Sequence, residues 1–188
     1  MATQEPTLAE VEKTVCELLQ NEPVCTLATL ADDGCPSTSA MHFAADGLIV
    51  YMHTFVYTRK LADVRRDARV SYSVHYDPPG GYDERTESRS LQVKGRAYVV
   101  TDPEEIARAV EVSLRKSQHE AQDTLLNNVK PPEAEGQQVL LRIEPVEALW
   151  ADFRVRLMWR QTLDFGPDGR SITGMRPYDT VVGRRGRR

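Results

Sequence analysis

Short apolar stretches that alternate with polar residues, each cut off by a turn built on Asp, Gly or Pro, recur along this chain and restrict it to an antiparallel β fold. Residues 24–31 read as a strand that runs into the turn Asp32-Asp33-Gly34; residues 35–43 follow, and Ala45-Asp46-Gly47 turns the chain into residues 48–53. Turns of that length join neighbouring antiparallel strands, so these two hairpins are expected to form a meander. In residues 69–76, Val70, Tyr72 and Val74 fall on one face and Ser71, Ser73 and His75 on the other, and residues 91–100 supply a fifth strand. Residues 139–143 and 146–153 add strand material, with Pro145 expected to interrupt it at an edge or bulge because proline has no N–H to give. Residues 156–165 and 171–175 flank Gly166-Pro167-Asp168-Gly169 and read as a closing hairpin.

Helical signals are few. Leu8, Val11, Val15, Leu18 and Leu19 recur at helical spacing until Pro23 ends the pattern. Residues 58–67 place Leu61 and Val64 on one side, and Thr101-Asp102-Pro103 opens a helix running to about residue 117. Residues 77–88 hold Pro78-Pro79-Gly80-Gly81 and several charges, the pattern of an exposed loop, and residues 119–136 are polar. Many short strands with few helices point to a small barrel, since closure removes exposed edges.

A length of 188 residues with 40% hydrophobic residues suits one core, so residues 1–182 are expected to form a single domain. Within it lie an opening helix over 1–22 and a hairpin extension over 155–177; the basic tail 183–188 is given no function. A net charge of −4 argues against nucleic-acid binding, which uses excess cations to displace phosphate counterions. No apolar run approaches the roughly 20 residues that span a bilayer, so no membrane partner is expected. Residues 1–6 carry no basic region of the kind that opens a signal peptide, and a cytoplasmic protein is expected. Cys16, Cys25 and Cys35 fit neither a disulfide framework nor a zinc site, and the four histidines are scattered, so no metal is expected.

The stretch His53-Thr54-Phe55-Val56-Tyr57-Thr58-Arg59-Lys60 carries chemistry. Where a strand hands over to a helix it sets two hydroxyls and two adjacent cations. Free N–H groups and the positive end of the helix dipole favour an anion there, Arg59 can fork onto two oxygens, and Lys60 adds a point charge. Such a site is expected to hold a phosphorylated ligand through Thr54, Thr58, Arg59 and Lys60. No carboxylate pair, Ser/His/Asp set or activated cysteine stands out, which suits chemistry carried by a cofactor.

The order of these pieces resembles the flavin-binding split β-barrel superfamily typified by pyridoxamine 5′-phosphate oxidase. The resemblance is carried by Thr26-Leu27-Ala28-Thr29 before Asp33-Gly34-Cys35-Pro36, by residues 54–60, by Arg65-Arg66-Asp67-Ala68-Arg69-Val70 and by Leu91-Gln92-Val93-Lys94-Gly95-Arg96-Ala97. Near the C-terminus, Arg142-Ile143-Glu144-Pro145, Trp150, Arg156-Leu157, Arg160, Asp168-Gly169 and Arg176-Pro177 follow the oxidase's closing segment. It implies an α+β protein, mainly β: a six- to eight-stranded antiparallel split barrel with a few peripheral helices, homodimeric, with FMN at the seam between two copies.

On that pattern Thr54, Thr58, Arg59 and Lys60 hold the phosphate. The ring lies along the backbone of Ser39, Ala40 and Met41 beside His53, and Gln92, Trp150 and Arg160 complete the cofactor site, Gln92 and Trp150 from the partner side. Arg156 faces a small-molecule substrate, and His42, which follows Met41 at the end of the strand under the ring, is a second candidate for substrate contact by its position alone. Met158 stands where the oxidase has a histidine, which argues against pyridoxamine phosphate as that substrate. The implied activity is a flavin-dependent oxidoreductase working by hydride transfer. Two alternatives stay open: use of coenzyme F-420, and a non-catalytic protein that binds flavin or, through His42 or His53, haem.

Overall fold

A computed structural model describes residues 5–116, 129–130 and 137–178. The expected basic tail 183–188 and most of the polar segment 119–136 lie outside the described residues.

The chain opens with α1 (Leu8–Asn21), started by a capping box in which the Thr7 hydroxyl accepts from the Glu10 N–H while the Glu10 carboxylate accepts from Thr7 N. β1 (Val24–Leu30), β2 (Pro36–His42), β3 (Ala44–Asp46) and β4 (Ile49–Phe55) follow, then α2 (Arg59–Arg66) and β5 (Arg69–Tyr76). A 3-10 stretch over Gly81–Glu87 occupies the exposed loop before β6 (Arg89–Val99), α3 (Pro103–Lys116), β7 (Gln138–Asp152), β8 (Arg160–Phe165) and β9 (Ile172–Pro177). Among the described residues, no helix is long and apolar enough to cross a membrane.

The sheet runs β2-β1-β5-β6-β7-β4-β3, with β8 added to β7 and β9 to β8, and every pairing between these strands is antiparallel. Among the described residues nine strands form where six to eight were expected, because β3 is a separate three-residue piece and the C-terminal hairpin joins the same sheet. The two early hairpins do not make one meander. They sit at opposite ends of the order, since β1 takes β5 as its second neighbour and β4 takes β7. The single residue Phe43, buried in the core, lies between β2 and β3 where the chain changes ends. β2 and β4 approach each other near that connection without pairing, and the barrel is split there.

Pro145 does not divide β7. The register shifts there, with Gly95 opposite Pro145 and Lys94 opposite Glu147, so Val146 is the extra residue of a bulge. The bulge marks where β7 changes partners, from β4 over residues 138–143 to β8 over residues 147–151.

The main core fills the barrel and is closed by α1 through Val11, Val15, Leu18 and Leu19. Each such side chain contributes roughly 1.5–3 kcal/mol by leaving water. β4 is covered on both faces: Val50 and Met52 point into the main core, while Ile49 and Tyr51 pack with Ile106 and Ala109 of α3 in a second cluster. The Lys116 ammonium, over the Phe43 ring at 3.5 Å, donates to the Leu19 carbonyl and ties α3 to α1.

Candidate functional site

α2 is held by its buried side and by one carboxylate. Leu61 and Val64 are buried against the sheet, and Asp63 accepts from the Thr29 hydroxyl at 2.9 Å and from Arg66 at 3.1 Å. Arg66 also donates to the Leu30 carbonyl. These contacts fasten α2 to β1 and so fix where its N-terminus points.

That N-terminus is built unlike the one of α1. Thr58 stands at the N-cap but makes no capping bond; its hydroxyl donates to the Phe55 carbonyl and pairs with the Thr54 hydroxyl at 2.9 Å. The first turn holds no acid, and its first two residues are Arg59 and Lys60. Cations are unfavourable beside the unsatisfied N–H groups and positive dipole of a helix start. Among the described residues neither Arg59 nor Lys60 takes part in an ion pair. Two cations, two hydroxyls and open helix N–H groups fit a phosphate dianion, which answers all three at once.

Beside this cluster lies the split. Among the described residues β2 is an edge strand paired only with β1; Ala40 and His42 are exposed, Ser39 half-buried and Met41 buried. His42 closes β2 and His53 lies half-buried in β4 across the gap. Burial holds the His53 imidazole below its usual pKa, and the neighbouring His42 pushes the same way. Ser39, Ala40, Met41, His42, His53, Thr54, Thr58, Arg59 and Lys60 are thus carried by three adjoining elements, β2, β4 and α2.

Gln92 is exposed at the middle of β6. The register sets it in one row across the outer face of the sheet with Ser73, Thr26 and Ala40, on a face of small and polar side chains. Three strand spacings of about 4.8 Å separate Gln92 from Ala40. The two residues share a face without touching.

Trp150, Arg156 and Arg160 belong to another region, built by the end of β7, the start of β8 and the N-terminal segment. Trp150 is 1% exposed and, with Thr7, Glu10, Val11, Thr14 and Trp159, lines a cavity of about 530 Å³ beneath α1. Strand was expected to Phe153 and again from Arg156, but residues 153–158 form turns and a bend, and β8 begins only at Arg160. Arg156 is exposed and ion-paired with Glu5, and the Arg160 guanidinium reaches the Met158 sulfur at 3.8 Å. The sequence sets Asp63 on the polar side of α2, opposite Leu61 and Val64, whereas the structure buries it because it accepts from the Thr29 hydroxyl of β1. Glu5 and Trp159 gave no signal, because 154 positions separate them.

Against this geometry, a family model described as pyridoxamine 5′-phosphate oxidase matches residues 11–150. The chain belongs to the pyridoxamine 5′-phosphate oxidase family. The match runs from within α1 to Trp150 and stops before the β8–β9 hairpin. Solved structures share the fold. A conserved hypothetical protein of Mycobacterium tuberculosis superposes with a TM-score of 0.62 at 22% identity, over 82% of this chain and 90% of that one. A haem-binding protein of Mycobacterium smegmatis gives 0.65 at 18% identity, over 86% of this chain and 59% of its own. A Listeria innocua protein described as a candidate pyridoxamine 5′-phosphate oxidase gives 0.56 at 22%, over 76% and 99%. Among curated proteins none matches. Members of the pyridoxamine 5′-phosphate oxidase family bind FMN.

Proposed function

We propose that this protein is a cytoplasmic, homodimeric oxidoreductase that holds FMN and uses it on a small organic substrate. The reading is carried by one observation: Arg59 and Lys60 open a helix whose N-cap hydroxyl is turned away from the helix N–H groups. An anion at that point removes an electrostatic conflict that nothing else among the described residues removes. Arg59, Lys60, Thr54 and Thr58 bind the phosphate, and the backbone of Ser39, Ala40 and Met41 reads the edge of the ring. FMN supplies hydride transfer when bound.

The chain's own residues position and exclude. The half-buried, neutral His53 lines the cofactor, the exposed His42 meets the substrate, and Gln92 of a second copy approaches across the outer face. Trp150 and Arg160 close the far side, with Arg156 toward the substrate. Full burial of Trp150 under α1 makes its part the support of that region.

Replacing Arg59 and Lys60 together by alanine is expected to weaken FMN binding about a hundredfold, the effect of about 3 kcal/mol from two charge-assisted contacts. Riboflavin, lacking the phosphate, should change little. Equal weakening of both ligands overturns the assignment.

Haem is a second reading, favoured by the adjacency of His42 and His53 across the split. A visible spectrum of the purified protein separates the readings: two visible bands for a flavin, one at shorter wavelength for coenzyme F-420, and a Soret band for haem.

A further inference from the structure

The N-terminal segment and the turn before β8 meet around one carboxylate. Trp159 is 1% exposed, and a buried indole N–H has to be matched by an acceptor. Its Nε1 donates to one oxygen of Glu5, and the Arg156 guanidinium donates to the other. Trp159 N bonds the Arg156 carbonyl at 3.0 Å, and Met158 between them takes φ 64°, a left-handed conformation that a non-glycine side chain adopts only when its surroundings impose it. The two donors are therefore held at a set separation that matches the two oxygens of a planar carboxylate.

Glu5 itself is weakly held. Its side chain is 49% exposed and that of Arg156 61%, and an ion pair so open to water contributes little net stability. The pair borders a cavity of about 360 Å³, further lined by Met158, Arg160, Gln161 and Tyr178, which has the size of a small-molecule site. Arg160 forms no ion pair among the described residues, so a second cation faces the same opening.

We infer that Arg156 and Trp159 form a carboxylate-binding fork, occupied in this structure by Glu5, and that a small organic acid takes the place of Glu5 on it. This names the substrate class for Arg156 and rests on the proposed function for its catalytic meaning, while the binding is measured without any flavin. Glu5 acts as an internal stand-in that keeps the indole N–H matched when no ligand is present.

The test uses the full chain labelled with nitrogen-15. The chain has two tryptophans, and Trp159→Phe identifies which indole N–H resonance belongs to Trp159. In the unaltered protein, benzoate is expected to move the Trp159 signal and leave that of Trp150 in place. Glu5→Gln should tighten benzoate about tenfold by removing the competing charge, and Arg156→Ala added to it should abolish the response. Benzamide, isosteric but neutral, should do nothing, and inorganic phosphate should bind more weakly than benzoate.

The inference is overturned if benzoate leaves the Trp159 signal unmoved in the unaltered protein, or if benzamide or phosphate moves it as far. It is also overturned if Glu5→Gln, still folded by its unchanged spectrum elsewhere, binds benzoate no tighter. Failure of FMN to bind the unaltered protein would remove the flavin reading and leave the fork standing.

Discussion

Single residues in this protein take their character from what surrounds them, and His53 shows it most directly. Burial holds its pKa below the ordinary value near 6.5, with His42 adding to the shift, so the folded state binds its proton less readily than the unfolded chain does. The contribution to stability is complete above pH 6.5 and is lost progressively as pH falls from there toward the folded pKa. Urea melts at pH 7.5 and 5.5 should show a drop in stability that His53→Gln reduces; an equal drop in both proteins would place the proton uptake elsewhere. Carboxylates with lowered pKa, such as Asp67 at about 2, act only below that window. The same dependence on surroundings explains which residues were legible. Thr54, Thr58, Arg59 and Lys60 are close in sequence, so their grouping was readable before any fold. Glu5 and Trp159 meet only because the chain folds.

At the scale of elements, the bulge shared by β6 and β7 shows how one small residue permits a long strand. A Cβ built on Gly95 would sit 2.5 Å from the Glu144 carbonyl oxygen, a backbone atom that cannot swing aside. Gly95→Ala is therefore expected to cost about 1–3 kcal/mol, the usual range for overpacking, measured as a lower urea midpoint at unchanged m value. A cost under 0.5 kcal/mol would mean the strand relaxes freely at Pro145. Sequence reasoning placed an edge or bulge at Pro145 but read two strands around it. The register that keeps β7 continuous depends on Gly95, 50 positions away, and no local pattern reports that pairing. α2 is the converse case. Its length and buried side followed from Leu61 and Val64, and Asp63 with Thr29 then fixes its direction.

For the whole molecule, the outer face of the sheet is the surface on which the proposed dimer is tested. Ala40, Thr26, Ser73 and Gln92 lie in one row on a face of small, polar side chains, beside an edge strand with one unpaired side. Unpaired edges invite another chain, and the proposed homodimer would bury this one. Sedimentation should give twice the chain mass with one FMN per chain. Ser73→Arg, a large charge at the middle of the row, should give monomers with weakened FMN binding and retained β structure. A native monomer with full FMN affinity would overturn the shared site.

Local alternation, turn residues and helical spacing determined by themselves that this chain forms an antiparallel β protein with an opening amphipathic helix, and sequence adjacency alone groups the two threonines and two cations at and after the end of β4. Those signals act over a few residues, and their physics is complete at that range. Tertiary structure alone decided that the two early hairpins part to opposite ends of the sheet, that β7 serves two partners across a bulge, and that the Glu5 carboxylate accepts from both Arg156 and Trp159. Each of these is settled by competition among distant strands for the same edges and by buried donors finding acceptors, and both depend on contacts between residues far apart in sequence.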